Sequence, residues 1–310
     1  MTQTSRRSTA ARGTPKQRQQ RGRGLNRSGS RPWWQSPTLL SIAAFGIVAV
    51  ALVAVVVLSR GGSNQPATNA DVRNPVPASV LAAVTTADES TLEQIGSGGY
   101  SGNLERLTGS TTLRDAAGRP LIVYVGAEYC PYCAAERWAL ILALSRFGSF
   151  SGLQETLSSS TDVYPDTSTF TFVDASYTSS WVDFQPSEIE DRAQQPLQTP
   201  STQAAQLFTS LDRPPYTSLL GAFPFLDIAG SYLLRDAGYS PQLLQGLSWT
   251  DIATDLSNPS DPVAKAIIGN ANVLTAGICL ASGNQPQSIC AAPDITSIET
   301  SLDTLHPITG

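Results

Sequence analysis

The sequence contains very little histidine: His306 is the single one among 310 residues, and it lies close to the C-terminus. No Ser-His-Asp set is recognisable in the sequence, and with this one histidine a hydrolase triad is not expected. A single histidine also leaves no histidine partners of the kind that zinc sites and copper-delivering proteins normally use. The chain further lacks a glycine-rich phosphate-binding loop and a recognisable pair of catalytic carboxylates. These absences weigh against hydrolytic, metal-dependent and phosphate-binding chemistry.

Acidic residues are absent from the first 37 positions, which carry nine arginines and lysines. A basic arm without apolar periodicity is expected to be disordered. Since the whole chain has a net charge of −5, the remainder is strongly acidic. A basic arm can bind nucleic acid. However, the segment that follows indicates a topology signal instead, and no nucleic-acid partner is predicted.

Charged residues are also missing from residues 38–58, which read TLLSIAAFGIVAVALVAVVVL. A helix of this length spans the hydrocarbon core of a bilayer, which is about 30 Å thick. Because the positive charges precede it, the N-terminus is expected in the cytoplasm and the chain after it outside. The run is longer than the apolar core of a signal peptide, and no convincing cleavage site follows. An uncleaved anchor is therefore favoured over a cleaved signal peptide.

Four segments follow from these patterns. They are a disordered basic cytoplasmic arm (1–37), a transmembrane helix (38–58), a flexible linker rich in Gly, Pro, Asn and Ser (59–78), and an extracytoplasmic domain (79–310). The protein is thus expected to be a single-pass protein of the cell membrane.

Strand and helix patterns alternate along the exported domain. The predicted elements are short helices at 79–95, a buried strand at 121–125, a helix at 134–147, a strand at 169–175, a helix at 201–211, a hairpin at 223–234 that turns at Ala229-Gly230, and further helices with a loop at 281–293. This order predicts an α/β fold in which a central mixed sheet is covered by helices on both faces.

Two of the four cysteines, Cys130 and Cys133, lie where the buried strand at 121–125 gives way to a helix. Unpaired N–H groups and the dipole of a helix start stabilise a thiolate at the first position. The second cysteine, one turn along, can resolve a mixed disulfide formed by the first. A zinc half-site and a purely structural disulfide are the alternatives for this pair.

The other two cysteines, Cys279 and Cys290, flank a polar loop. A bond between them closes a short ring, which in the chain-entropy model stabilises a fold by about 3 kcal/mol. We expect a structural disulfide here. A second pair that relays electrons is the alternative.

The stretch VYVGAEYCPYC resembles the strand, loop and helix around the active site of thioredoxins, and glutaredoxins share its CPYC tetrad. The FPF that begins at Phe223 resembles the cis-proline loop of the same superfamily. More closely, CPYCAAERWALILALSRFG is similar to a family of membrane-anchored, thioredoxin-like prokaryotic proteins of unknown function. The resemblance covers residues 79–305 and implies a thioredoxin-like fold. An insertion at about 179–213 would precede the cis-proline loop.

The same resemblance implies a role for each residue of the motif. Cys130 is the attacking nucleophile and Cys133 resolves the mixed disulfide. A cis Pro224 faces the pair and prevents metal capture, and the backbone of Phe223 pairs with a partner chain as an added strand. The residues assigned to the substrate groove are Pro224, Phe223, Pro131 and Tyr132.

This chain departs from the thioredoxin pattern at Tyr124, which occupies the position of a buried aspartate. The proton acceptor that helps Cys133 attack is therefore missing or replaced. Glu128, two residues before Cys130, is the candidate substitute. Apart from that role, Glu128, Glu136 and Arg137 are interpreted as solvated positions, and Trp138 is interpreted as core.

The sequence as a whole predicts a membrane-anchored, extracytoplasmic thiol–disulfide oxidoreductase of the oxidase or isomerase type. Its reaction, carried by Cys130 and Cys133, needs no bound cofactor and no metal. Its partners are the thiols and disulfides of exported proteins, together with a membrane redox partner that recycles the pair. The alternative is a non-catalytic thioredoxin-like module that docks a partner in the cell envelope.

Overall fold

The computed structural model describes residues 69–99, 104–108, 112–217, 220–234, 236–305 and 307–308. The basic arm and the transmembrane helix predicted from the sequence lie outside the described residues, as does His306. The strands are β1 (Asn74–Pro75), β2 (Leu104–Arg106), β3 (Leu121–Gly126), β4 (Gly148–Ser151), β5 (Gln154–Leu157), β6 (Ser168–Thr171), β7 (Ser176–Ser179), β8 (Asp183–Glu188), β9 (Phe225–Ile228) and β10 (Tyr232–Leu234). The helices are α1 (Ala78–Thr85), α2 (Glu89–Ile95), α3 (Pro131–Ser145), α4 (Thr202–Leu211), α5 (Trp249–Asp255), α6 (Pro262–Ser282), α7 (Gln287–Cys290) and α8 (Pro293–Asp303).

A five-stranded mixed sheet forms the centre of the fold, in the order β2-β10-β9-β3-β8. β8 runs parallel to β3, whereas β9 runs antiparallel to it. β10 pairs antiparallel with both β9 and β2. Every residue of β3 is buried, as expected for a strand that is covered on both faces.

Alternate side chains of β3 point into two separate cores, because successive residues of a strand face opposite sides of a sheet. Ile122 and Tyr124 belong to the larger core, which α3 and α6 complete. Leu121, Val123 and Val125 pack against α4 on the other face. The predicted α/β architecture, with helices on both faces of a mixed sheet, is confirmed at this level.

The central helix α3 is buried on all sides. All of its residues from Cys133 to Leu144 are buried, because α6 and β6 pack against it. Trp138 lies in the core as predicted, and its indole N–H donates to the Ser168 carbonyl at 2.9 Å. The prediction that Glu128, Glu136 and Arg137 are solvated is wrong, since all three side chains are fully buried.

The parallel edge strand β8 was not predicted from the sequence, and neither were β1, β2, β4, β5 and β7. β8 lies within 179–213, where only the helix now seen as α4 was predicted. Pro186 interrupts its strand pattern, and a proline is tolerated there because β8 is an edge strand. The strand predicted at 169–175 exists as β6, but it pairs with β5 in a separate three-stranded sheet in the order β1-β5-β6.

The hairpin of β9 and β10 forms where it was predicted. Ala229 and Gly230 both have positive φ angles, of 54° and 67°. Asp227 closes the turn, because its Oδ1 accepts a hydrogen bond from the Gly230 backbone N–H at 2.8 Å. The turn therefore holds β10 antiparallel to β9, and β9 in turn pairs with β3.

One described helix, α6, is long and apolar enough to cross a membrane by length and composition. However, 83% of its apolar window is buried inside the fold, where it packs on α3 and α8. In this protein α6 is thus the core helix of the domain. The span that the sequence predicts, 38–58, is a different segment outside the described residues.

Cys279 and Cys290 form a disulfide, with 5.5 Å between their Cα atoms. The bond joins the last turn of α6 to α7, and both cysteines are buried. It therefore fixes the chain reversal that returns α8 against α6.

We expect the double substitution Cys279→Ala/Cys290→Ala to lower the free energy of unfolding by about 3 kcal/mol, because the unfolded chain is no longer cross-linked. Urea unfolding under non-reducing conditions measures the change. A loss well below 1 kcal/mol would contradict this account. If the bond is purely structural, the redox equilibrium of Cys130 and Cys133 stays unchanged in the same variant.

Candidate functional site

The Cys130 and Cys133 pair lies at the start of α3, directly after β3 and a short loop. Cys130 is the N-cap residue, and its Sγ accepts a hydrogen bond from the Cys133 backbone N–H at 3.3 Å. Pro131 follows at the first helical position, where its missing N–H costs nothing. Cys130 is 6% exposed and Cys133 is 0% exposed, and the two thiols are not bonded to each other. Only the first cysteine can therefore meet a partner.

The pKa values of the two thiols shift in opposite directions. Burial alone would raise the pKa of Cys130, but hydrogen bonds from Cys133 and the charge of Arg137 outweigh it and lower the pKa. Burial and the neighbouring Cys130 raise the pKa of Cys133 well above its usual value. A thiol that ionises readily thus stands beside one that keeps its proton, which is the division of roles that thiol–disulfide exchange requires.

The loop before β9 faces this pair. The Phe223–Pro224 peptide bond is cis. The Cys130 thiol donates to the Phe223 carbonyl oxygen at 3.8 Å, and the Phe223 side chain packs against Ala127 and both cysteines. The structure therefore brings together Cys130, Cys133 and Phe223, which the sequence assigned to one site.

A groove of about 700 Å³ opens over Cys130. Tyr129, Tyr132, Phe223 and Gly238 contribute to its walls. The Tyr132 ring is 40% exposed and meets Tyr164 edge-on, with 6.1 Å between ring centroids. Of the residues assigned to the groove, Tyr132 and Phe223 line it, whereas Pro131 and Pro224 are buried.

Glu128, the candidate proton acceptor, is fully buried and held by an arginine. Arg73 Nε and Nη2 donate to its two carboxylate oxygens, each at 3.1 Å. Arg73 Nη1 also lies 3.1 Å from Asp71 Oδ2. Since both oxygens bind one guanidinium, Glu128 serves here as the charge partner of Arg73. Its role in proton transfer stays a prediction.

Arg73 belongs to a segment, residues 69–75, which we call the strap. The Asn69 side chain bonds to Ser159 and Ser160, and the Ala70 carbonyl accepts from Arg192 at 2.8 Å. β1 then pairs with β5. The sequence placed these residues in a flexible linker. The structure instead fixes them against the domain, beside the loop that leads to Cys130.

A buried ion pair lies behind the cysteines. Arg137 Nε and Nη2 donate to the Glu188 carboxylate at 2.8 and 2.6 Å, and both side chains are 0% exposed. Arg137 Nη2 also donates to the Ala127 carbonyl at 2.8 Å. Sequence reasoning missed both residues. The signal that could have revealed Arg137 is its spacing, one helical turn after Cys133 and on the same helix face.

Tyr124 completes this buried region from β3. Its side chain is 0% exposed and meets Phe172 edge-on, with 5.3 Å between ring centroids. A Cβ atom at position 126 would collide with the Tyr124 hydroxyl, so any larger residue there would displace the Tyr124 ring. The hydroxyl finds no hydrogen-bond partner among the described residues. In the thioredoxin pattern position 124 carries a carboxylic acid. In this chain it carries a hydroxyl group that can donate a hydrogen bond.

Glu136 occupies another face of α3. It accepts hydrogen bonds from the Gly238 backbone N–H at 2.9 Å and from Asn270 Nδ2 at 2.9 and 3.0 Å. Burial raises the pKa of Glu136 to about 7, although these hydrogen bonds oppose the rise. Since Gly238 borders the groove, Glu136 links α3 to a groove wall and to α6.

Within the part of the chain that the structure describes, no three His, Cys, Asp or Glu side chains gather as a metal site would require. The expected absence of a metal and of a bound cofactor stays a prediction.

A family model described as "Domain of unknown function (DUF929)" matches residues 114–280, which is more than half of the chain. The matched segment includes β3, the cysteine pair, the Arg137–Glu188 pair and the Phe223 loop. No curated protein and no solved structure matches the chain.

We expect Arg73→Met to lower the free energy of unfolding by roughly 2 kcal/mol, because it leaves the buried Glu128 carboxylate without its charge partner. In Arg73→Met/Glu128→Met neither charge of this pair remains, and much of the lost free energy of unfolding should be recovered. Urea unfolding at neutral pH measures both. The exposed Arg213→Met is the matched control, and an Arg73→Met protein as stable as the wild type would refute the role of the pair.

Glu136 makes the stability of the fold depend on pH. Its folded pKa of about 7 lies above the ordinary value of 4.5, so the folded protein binds this proton more tightly than the unfolded chain. The free energy of unfolding therefore falls as pH rises from about 4.5 to about 7. We expect Glu136→Gln to remove this part of the fall, so that it gains roughly 3 kcal/mol relative to the wild type across the window.

The glutamine can still accept from Gly238, and its amide can donate to Asn270 Oδ1, which lacks a partner among the described residues. Urea unfolding at a series of pH values measures the effect. Asp227→Asn serves for comparison. Burial also raises the pKa of Asp227 to about 7, so this variant should likewise lose part of the pH dependence of the wild-type stability. Parallel pH profiles for Glu136→Gln and the wild type would disprove the assignment.

Proposed function

This chain belongs to the DUF929 family, and we propose that it is a membrane-anchored thiol–disulfide oxidoreductase that exchanges disulfides with exported proteins. One observation carries the proposal. Cys130 caps a helix start with its sulfur bonded to the Cys133 backbone N–H and its side chain slightly exposed in a groove, while Cys133 is fully buried one turn along. A structural disulfide or a metal clip would not require this difference between the two thiols.

The topology supports a thioredoxin-like domain. β3, α3 and the parallel strand β8 are followed by α4, the β9–β10 hairpin and α6, with the cis Phe223–Pro224 bond before the hairpin. This is the order that the resemblance implies. The second sheet, in the order β1-β5-β6, and the helices α1, α2 and α8 are additions around that core.

The reaction proceeds in two displacements. A thiolate of the client attacks Cys130 Sγ of the oxidised pair; the Cys130–Cys133 bond breaks, and its electron pair passes to Cys133 Sγ. A second client thiolate then attacks the client sulfur of the mixed disulfide and releases the Cys130 thiolate. The client loses two electrons and gains a disulfide. A membrane redox partner must then remove two electrons from the pair.

The lowered pKa of Cys130 supports the oxidase or isomerase direction. Stabilising the thiolate favours the reduced pair, and a pair that is stable when reduced is a strong oxidant toward its client. For isomerisation, the Cys130 thiolate attacks a wrong client disulfide and releases one client thiolate. Another client thiolate then attacks the client sulfur of the mixed disulfide and releases Cys130, so the client's bonds are rearranged with no net transfer of electrons.

The groove supports an extended polypeptide as the substrate. An added strand would lie along the Phe223 backbone, and its side chains would fall between Tyr132 and the Gly238 wall. The Cys279–Cys290 disulfide supports an oxidising compartment. We place the domain outside the cytoplasm, anchored by residues 38–58.

We expect Cys133→Ala to accumulate mixed disulfides with exported proteins, because the Cys130 thiolate can still attack a client disulfide while the neighbouring thiol that would release the client is gone. Acid-quenched cells that express the full-length chain, analysed by non-reducing electrophoresis and mass spectrometry, would show adducts linked through Cys130. Cys130→Ala is the matched control and should show none. If Cys133→Ala forms no adducts while it is expressed and folded, the chain is instead a binding module that docks an envelope partner.

A further inference from the structure

Two buried hydrogen-bond donors near the cysteines lack acceptors among the described residues. They are the Tyr124 hydroxyl and Nη1 of Arg137, and both side chains are 0% exposed. A buried donor without a partner is rare in folded proteins, because it has lost water and gained nothing. Two such donors lie in one region, and neither bonds to Cys133 Sγ while that sulfur is a free thiol.

Both donors lie around the end of β3, behind Cys133. The Tyr124 hydroxyl is packed over Gly126. Arg137 Nη2 donates to the carbonyl of the next residue, Ala127, at 2.8 Å. Ala127 in turn packs against Cys133, and Cys133 precedes Arg137 by one helical turn. Burial raises the pKa of Tyr124, and the charges of Arg137, Cys133 and Glu188 also act on it, so these four side chains form one group, which we call the buried polar cluster.

The exchange reaction creates an acceptor at this place. Whenever the Cys130–Cys133 bond opens or closes, Cys133 Sγ carries a negative charge. Cys133 is 0% exposed in the resting state, so protein groups rather than bulk water must stabilise that charge when it forms. Burial makes a thiolate costly, as the raised pKa of Cys133 reflects.

We propose that the Tyr124 hydroxyl and Arg137 Nη1 bind the Cys133 thiolate during disulfide exchange. The inference rests on the proposed function. When an incoming thiolate forms a bond to Cys130 Sγ, the electron pair of the broken bond moves to Cys133 Sγ. The two donors hydrogen-bond to that sulfur until a proton from solvent neutralises it. In the reverse direction Cys133 loses its proton to solvent, and the same donors stabilise the attacking thiolate.

Glu188 is a positioning residue in this arrangement. It binds Nε and Nη2 of Arg137, so Nη1 is the nitrogen left over for another acceptor. Because both Glu188 oxygens are held by the guanidinium, the ion pair orients Arg137. The cluster thus supplies donors to a thiolate, in place of the buried acid that the thioredoxin pattern has at position 124.

The test is Tyr124→Phe in the full-length chain, purified in mild detergent. We expect dithiothreitol to open the oxidised Cys130–Cys133 pair about tenfold more slowly than in the wild type, because one hydrogen bond to the leaving thiolate is lost. Quenched alkylation followed by mass spectrometry of the peptide that contains both cysteines measures the rate. In a Cys130→Ala background, carbon-13 NMR of labelled cysteine should show the pKa of Cys133 raised by about one unit.

Tyr177→Phe is the matched control. Tyr177 is a second tyrosine beside α3, and its hydroxyl donates to the Leu144 carbonyl at 2.8 Å. This variant should lose some stability and keep the wild-type rate. Tyr124→Phe should keep or gain stability, because its hydroxyl has no partner among the described residues, and yet react more slowly. A structural role alone would not produce that combination.

Each outcome has one meaning. Equal opening rates in Tyr124→Phe and the wild type, with an unchanged pKa of Cys133, overturn the inference and leave the proposed function intact. A wild-type pair that can be neither reduced nor reoxidised overturns the proposed function itself. A slower rate in Tyr124→Phe and a normal rate in Tyr177→Phe support both.

Discussion

The ion pair between Arg137 and Glu188 holds the reactive end of the domain together. Both charges are fully buried, so removing either would leave the other without compensation, at a cost far above that of a surface pair. The pair joins α3 to β8, the edge strand with the weakest strand pattern. Because the same guanidinium also binds the Ala127 carbonyl, it fixes the loop that leads to Cys130.

A second arginine secures the next residue of that loop from another part of the chain. Arg73 of the strap binds the Glu128 carboxylate, while Arg137 binds the carbonyl of Ala127. Ala127 and Glu128, in the loop before the cysteine pair, are thus each bound by an arginine. One arginine comes from the strap and the other from the central helix α3. The strap is therefore part of the support of the site, and a fragment that begins after Arg73 would lack it.

Local signals in the sequence were enough to locate β3, the start of α3 and the β9–β10 hairpin. An apolar run indicated β3, a cysteine pair followed by helical spacing indicated the start of α3, and an Ala-Gly turn indicated the hairpin. Each of these signals extends over a few residues only. The burial of Glu136 and Arg137 could not be predicted in this way, because it depends on Asn270 and Glu188, which lie far away in sequence. β8 was missed because the parallel ladder with β3, and not its own composition, makes it a strand. Arg73 looked like a linker residue for the same reason, since its partner at Glu128 is brought near only by the folded chain.

The hydrogen bond from Cys130 to the Phe223 carbonyl has a consequence for the timing of binding and release. A thiol has a proton to donate to that oxygen, whereas a sulfur in a disulfide has none. The carbonyl that a neighbouring strand would need is therefore occupied when Cys130 is a protonated thiol and vacant when Cys130 is oxidised. In the proposed exchange a client strand can therefore pair with this carbonyl while Cys130 is oxidised or a thiolate, and it competes with the Cys130 proton once the thiol is protonated.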